Sequence, residues 1–331
     1  MKKIITILLI MVISIFALTG CGETPIGFKA QYWHENIATT DYHPLTEVTE
    51  YEVKIANKTP NNATEVSNKN IKMEIASGRY VTTLKMQEDE NKKPYYYFKT
   101  ELYLQGKYVF NNQEIPFEND VVSETTFNTI VKDFMPISTK KQSSRTTTVI
   151  ATTDGYALYD FTYNYSIDYG SEDAKTRYEL NTIGENKTTP IVKENTFSKY
   201  NKEEYIDNEL LLLLPRAFDY DSGFITNFTT IDVVTQKVQN MAYNATSKNT
   251  NNPDIKSFNL KYKLNGSEVG SEDFKVAKVS TGITDTFSGA TIEAYYANEH
   301  TIHRHRMVKC YTALNESLGY LEYTVKSVVQ S

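Results

Sequence analysis

Apolar and polar residues alternate along much of the chain, most regularly between Tyr159 and Tyr169. The odd-numbered positions of this stretch are apolar or aromatic: Tyr159, Phe161, Tyr163, Tyr165, Ile167 and Tyr169. The even-numbered positions are polar: Asp160, Thr162, Asn164, Ser166 and Asp168. A period of two over this length predicts a long antiparallel strand with one buried face and one face in water.

Shorter alternating stretches predict further strands. Tyr51, Val53 and Ile55 alternate with polar residues, and the same alternation returns over residues 71–75. The fold class that follows is mainly β, or β-dominated α+β, built from antiparallel sheets.

One segment departs from this pattern and predicts a central helix near 202–214. Asn201 and Glu204 have the spacing of a capping box, in which two side chains bond the free N–H groups that begin a helix. Pro215 would end the helix, because proline cannot continue the backbone hydrogen bonds.

Residues 210–214 of this predicted helix are all leucine. Five leucines in a row cover more than one helix face, so we expect the segment to be buried on several sides. A helix lodged between sheets satisfies this pattern. Leu210, Leu213 and Leu214 are the candidate ligand contacts, should a cavity lie beside them.

The chain also suggests an internal repeat. Residues 98–127 align with 258–287 at a constant offset, and Gln105-Gly106 matches Asn265-Gly266, both expected to be hairpin turns. The predicted organisation, in chain order, is a signal peptide at 1–20, a lipidated tether at 21–45, a β-rich half at 46–185, a linker at 186–200, and a helix with a second β-rich half at 201–331.

The first twenty-one residues combine two lysines, an apolar run from Ile4 to Leu18, and Leu18-Thr19-Gly20-Cys21. The run is shorter than the roughly 20 residues that span a bilayer, which favours a cleaved secretory signal. Its last four residues resemble the lipobox of bacterial lipoproteins. The resemblance implies cleavage between Gly20 and Cys21 and a diacylglycerol, with acyl chains such as palmitate, on the Cys21 sulfur. It also implies an anchor at the extracytoplasmic face of the cell membrane.

Charge and cysteine content narrow the function classes. The formal net charge is −6, and it becomes −8 once Lys2 and Lys3 are removed with the signal. An acidic chain lacks the basic footprint of nucleic-acid-binding proteins, so we expect no nucleic-acid partner. Two cysteines, one of them in the lipobox, leave no disulfide framework, and Cys310 is expected to be a buried thiol.

No motif predicts catalysis or a cofactor. The chain has no Gly-x-Ser-x-Gly elbow and no phosphate-binding glycine loop. His303 and His305, on one side of a predicted strand, are weak metal candidates, and a solvated face of basic side chains is the preferred interpretation.

Two functions remain open. The first is a membrane-anchored, non-catalytic binding or interaction module of the cell envelope, whose partner is an envelope protein, a glycan or a lipid. The alternative is a carrier or sensor that holds an apolar ligand, such as a lipid, between sheet and helix. A large cavity beside the leucines would favour the carrier, and a filled interior would favour the interaction module.

Overall fold

Fourteen strands follow one another in a single curled antiparallel sheet in the computed structural model. The described residues are 46–56, 71–110, 112–128, 134–152, 155–184, 189–198, 200–218, 220, 224–245, 261–264, 267–269, 276–283, 292–297, 305–314 and 318–330. Within them, no helix is both long enough and apolar enough to cross a bilayer.

The strands of the first part of the chain are β1 Thr46–Ile55, β2 Ile71–Glu88, β3 Pro94–Phe110, β4 Gln113–Asn128, β5 Met135–Thr152, β6 Gly155–Tyr169, β7 Asp173–Thr182 and β8 Ile191–Ser198. The remaining strands are β9 Phe224–Asp232, β10 Lys237–Ala245, β11 Lys261–Leu264, β12 Ser267–Val269, β13 Val276–Ile283, β14 Ile292–Ala297, β15 Met307–Ala313 and β16 Tyr320–Gln330. The order across the sheet is β8-β7-β6-β5-β4-β3-β2-β1-β16-β15-β14-β13-β10-β9. The short hairpin β11–β12 lies off this path and pairs in parallel with the end of β16.

The mainly β prediction is confirmed, and β6 contains the predicted strand Tyr159–Tyr169. Ile167 and Tyr169 on its odd-numbered face are buried, whereas Asp168 between them is exposed. Side chains of a strand point alternately to opposite faces, so the alternation places the aromatic residues inside the curl.

Antiparallel pairing of β1 with β16 joins the early and late parts of the chain. Residues 47–55 pair with residues 330–321, and the register shifts once, between Glu50 and Tyr51. The two ends of the sheet, β6–β8 at one end and β9 at the other, approach each other without pairing as strands. A buried cluster with Ile167, Tyr169 and Tyr178 on one side and Ile231 and Val233 on the other closes the gap by packing. The predicted halves 46–185 and 201–331 therefore share one sheet.

The predicted helix near 202–214 is wrong. The segment forms short 3₁₀ turns at Lys202–Glu204, Asn208–Leu210 and Leu214–Ala217. Asp207 is extended, with φ −75° and ψ 142°, and its carboxylate accepts the Glu209 N–H at 2.8 Å, which starts a new turn in mid-segment. Such local side-chain bonds compete with a continuous helix. We call residues 200–218 and 220 the plug, since they fill the curl of the sheet.

The hairpin turn predicted at Gln105-Gly106 is wrong, and the repeat of the two halves stays a prediction. Gln105 and Gly106 lie inside β3 and make no turn, whereas the matching stretch divides into β11 and β12. A Cβ on Gly106 would lie 2.0 Å from the carbonyl oxygen of Glu74, next to the bulge that β2 makes between Ile75 and Ser77. Glycine is needed there for close backbone approach. Residues 191–198, inside the predicted linker, form strand β8.

Candidate functional site

The predicted site residues fall into two groups. Gly20, Cys21 and His303 lie outside the described residues, so their predictions stay predictions. The structure places Leu210, Leu213, Leu214, His305 and Cys310 in or against the core.

The plug leucines are enclosed by the sheet. Leu210 and Leu214 have no exposed surface, and Leu213 is 4% exposed. An irregular segment leaves backbone carbonyls without helical partners, and buried carbonyls need other donors. Two sheet tyrosines provide them: the Tyr243 hydroxyl donates to the Leu211 carbonyl at 3.2 Å, and that of Tyr296 to the Leu212 carbonyl at 2.9 Å.

An ion cluster around Glu47 ties the plug to the seam between β1 and β16. Glu47 accepts two hydrogen bonds from Arg216 of the plug, at 2.7 and 3.3 Å. Arg306 and Gln330 each donate to the same carboxylate at 2.9 Å. All four side chains are buried. One carboxylate therefore connects the plug, β1, β16 and the residue before β15.

Burial alone raises the pKa of Glu47, but the charges and hydrogen bonds of Arg216 and Arg306 outweigh that effect. They hold the pKa of this carboxyl well below its usual range. Glu47 therefore stays ionised in the folded protein, and its partners, rather than solvent, stabilise the charge.

His305 belongs to this region, and the expected solvated face is wrong for it, because it is 1% exposed. Its Nδ1 donates to the carbonyl of Arg216 at 2.8 Å, and its ring packs edge-on against Tyr220 with 4.9 Å between centroids. Within the described residues no group of histidine, cysteine and carboxylate side chains has the arrangement of a metal site.

Cys310 is buried with a free thiol, as predicted. Burial raises the pKa of this thiol, and the charge of Glu293 adds to the effect. A protonated thiol is a weak nucleophile, so Cys310 acts as a small apolar residue of the core.

A second polar cluster holds the other end of the plug to β5 and β6. Glu209 accepts hydrogen bonds from Lys141 at 2.8 Å and from the Tyr165 hydroxyl at 2.5 Å. Asp207, which is fully buried, accepts from the Tyr169 hydroxyl at 2.7 Å. Burial alone raises the pKa of Glu209, but Lys141 outweighs it and the pKa is lowered.

Burial raises the pKa of Asp207 to about 6, despite hydrogen bonds from Thr139 and Tyr169 that favour the charged carboxylate. A folded-state pKa above the model value of 3.8 means that the folded state holds this proton more tightly than the unfolded state. Stability from this group is therefore present at about pH 4 and is lost as pH rises through about 6.

Replacing Asp207 with asparagine should remove this pH dependence, because the amide keeps the shape and never ionises. We expect Asp207→Asn to match the parent near pH 4 and to exceed it at pH 7, by up to about 3 kcal/mol of unfolding free energy. Urea unfolding from pH 4 to 7 measures the difference. Asp168→Asn, at an exposed position of β6, is the matched control and should leave the profile unchanged. If the unfolding free energies of Asp207→Asn and the parent change with pH in the same way, Asp207 is not the group responsible for this pH dependence.

Among the cavities lined by described residues, one lies directly beside the plug and is small. This cavity borders Glu47, Leu212, Leu213 and Arg216 and measures about 20 Å³. A single water needs about 10–15 Å³. The space beside these leucines therefore has room for one small occupant and not for an acyl chain.

The two terminal strands of the sheet differ in how their outer edges are covered. The edge of β9 is covered by the plug: Ile206 donates its N–H to the Thr229 carbonyl at 2.9 Å, and Asn208 donates its side-chain amide to the Ile231 carbonyl at 2.8 Å. β8 pairs with β7 along one edge. Seven of the eight residues of β8 are exposed, and they include residues on both faces of the strand. The eighth, Phe197, is half-buried.

The sequence analysis did not identify the ion cluster around Glu47 or the edge of β8. Glu47, Tyr51 and Val53 are all odd-numbered and lie on the same face of β1. A charged residue on this apolar face was the signal in the sequence that could have revealed the cluster. Nothing in the sequence of residues 191–198 predicted a strand at the edge of the sheet, because their largely polar composition resembles that of a linker.

Comparison with known proteins shows a distant structural likeness. No protein-family model matches the sequence, and no curated protein matches it. Among solved structures, the chain is similar to the crystal structure of a beta-barrel-like protein of a domain of unknown function, DUF1849, from Brucella abortus. The identity is 8% and the TM-score 0.43, over 86% of this chain and 97% of that chain. A likeness of this degree carries no conclusion about function.

Proposed function

We propose that the protein is a lipid-anchored, extracytoplasmic interaction module of the bacterial cell envelope, without catalysis, and that β8 receives an extended segment of a partner protein. The observation that carries this proposal is the difference between the two sheet edges. The plug covers β9, whereas no described strand pairs with the outer edge of β8, and seven of the eight residues of β8 are exposed. Proteins normally protect such edges, because they pair readily with other strands.

The backbone groups of β8 that point away from β7 can be assigned. Thr176 Oγ1 of β7 lies 3.4 Å from the Asn195 carbonyl oxygen, so the backbone of Asn195 faces β7. The N–H of Thr196 instead bonds the side-chain oxygen of Asn195 at 2.8 Å. Backbone groups alternate in direction along an antiparallel strand, so those of Val192 and Glu194 face the open edge.

A segment from another protein fits this edge better than a second copy of the chain. Two-fold pairing of β8 with itself about Lys193 or Glu194 would place two like charges opposite each other. An extended foreign segment has no such constraint and adds a strand through main-chain hydrogen bonds.

The alternative, a carrier of an apolar ligand, requires space beside the plug leucines. The cavity there measures about 20 Å³, which is too small for a lipid chain. The small size of this cavity favours interaction at the surface over carriage of a lipid.

Glu194→Pro tests the open edge, because proline removes one N–H that points away from β7 and leaves the β7 ladder intact. A photo-crosslinking residue at Thr196 of the full chain, activated in intact cell envelopes, should yield one main protein adduct. We expect Glu194→Pro to lower its yield at least tenfold.

Glu194→Gln is the matched control, since it removes only the charge that pairs with Arg177. It should keep the adduct, and a crosslinker at the exposed Glu52 of β1 should give none. Adducts of the chain with itself would indicate a second copy, and equal yields from Thr196 and Glu52 would refute docking at β8.

A further inference from the structure

A small cavity, with a few charged and polar side chains in a mostly apolar lining, lies where the plug meets β1 and β2. Its lining includes Glu47 and Thr49 of β1, Arg216 of the plug, and Arg306, the residue before β15. The plug contributes Arg216 from one side, and β1 contributes Thr49 from the other. The cavity is thus formed only when the plug is seated.

Within the part of the chain that the structure describes, two buried polar atoms of residues lining this cavity have no hydrogen-bond partner. They are Thr49 Oγ1 and Arg216 Nε. Thr49 is 1% exposed and Arg216 is 4% exposed, so bulk water does not satisfy them. Buried polar groups in folded proteins are almost always bonded, and an orphaned pair beside a cavity indicates an occupant.

The hydrogen-bonding roles define that occupant. Arg216 Nε carries a proton and can only donate, and the Thr49 hydroxyl can donate as well. Among the described residues that line the cavity, two are guanidinium groups, Arg216 and Arg306, and one is a carboxylate, Glu47. The occupant therefore accepts hydrogen bonds in positive surroundings.

We propose that this cavity binds one small monovalent anion of halide size, with chloride as its ordinary occupant, held by Arg216 Nε and Thr49 Oγ1. The cavity measures about 20 Å³, more than the roughly 10–15 Å³ that one water needs, and it is too small for carboxylates and phosphate. The ion links the plug to β1 beside Glu47, so its binding stabilises the seated plug. This inference does not depend on docking at β8.

Ion-specific stability tests the proposal. The full chain is unfolded thermally and with urea at constant ionic strength in sodium chloride, bromide or gluconate. Chloride and bromide should stabilise with a saturable dependence, whereas gluconate is too large to enter. A ligand that binds only the folded state at ten times its Kd lowers the unfolding constant about elevenfold.

Thr49→Val keeps the shape of the side chain and removes its hydroxyl, so it should abolish most of the saturable response. Thr83→Val, on the other face of β2 and not bordering the cavity, is the control and should keep it. A bromide-soaked crystal of the unsubstituted protein should show one anomalous peak within hydrogen-bond reach of Arg216 Nε. Density without an anomalous peak, meaning an internal water, or equal stability in all three salts would overturn the proposal.

Discussion

Replacing Glu47 with glutamine should destabilise the protein by about 3–5 kcal/mol, the loss typical when one partner of a buried ion pair is removed. The substitution leaves the guanidinium groups of Arg216 and Arg306 buried with a neutral amide. Glutamine also provides one acceptor oxygen where the carboxylate had two, both of which are used. Urea unfolding at pH 7 measures the change.

Glu50→Gln is the matched control for this experiment. Glu50 lies on the same strand with 27% of its side chain exposed, and it pairs with Arg79 at 3.4 Å and Lys326 at 3.6 Å. Exposed pairs of this kind contribute about 0–1 kcal/mol. If Glu47→Gln costs no more than Glu50→Gln, the cluster does not hold the plug.

A double substitution separates the charge effect from packing. The double variant Glu47→Gln, Arg216→Met should lose less free energy of unfolding than the two single variants lose together, because it removes one guanidinium that has lost its partner.

Low pH should have the same effect as Glu47→Gln, because protonation also removes the charge of this carboxylate. The pKa of Glu47 is lowered in the folded state, so its contribution is present above about pH 4.5 and is lost as pH falls below it.

Replacing Cys21 with serine should abolish membrane anchoring, because serine cannot carry the thioether-linked diacylglycerol that the lipobox resemblance implies. The acidic mature chain is repelled by anionic lipids, so the lipid is the expected anchor. We expect Cys21→Ser to leave the membrane fraction or to accumulate as uncut precursor. Cell fractionation, with metabolic labelling by a fatty acid, measures both outcomes.

Cys310→Ser is the control, because it removes the other cysteine and leaves the lipobox unchanged. It should retain the label and the membrane fraction, with some loss of stability from the hydroxyl placed at a fully buried position. A Cys21→Ser protein that is still cut and still partitions into detergent would contradict the lipid anchor.

The strands were the most predictable part of the fold, because alternation is a local property. Tyr159–Tyr169 shows this: the backbone turns each successive side chain to the opposite face, whatever the rest of the chain does. Residues 105–106 show the limit. Gln-Gly has the composition of a turn, but Gly106 serves the close approach of Glu74 across the β2–β3 ladder, which no local pattern contains.

The plug shows why the central helix was predicted wrongly. Five leucines and a capping pair suit a helix, but the Asp207 carboxylate starts a new turn within the segment. The hydroxyls of Tyr243 and Tyr296 then bond the carbonyls that a helix would have satisfied internally. Distant sheet residues therefore decided the conformation of this segment.

By itself, the sequence determined the β class, the buried parity of β6, the burial of the leucine run and of Cys310, and the prediction of an anchor at Cys21. Each of these depends on neighbours in the chain or on composition. The tertiary structure alone decided that Glu47 meets Arg216 and Arg306, 169 and 259 positions away. It also decided that the plug covers β9, while no described strand pairs with the outer edge of β8. The physical reason is that burial and pairing of charges depend on which elements meet in space.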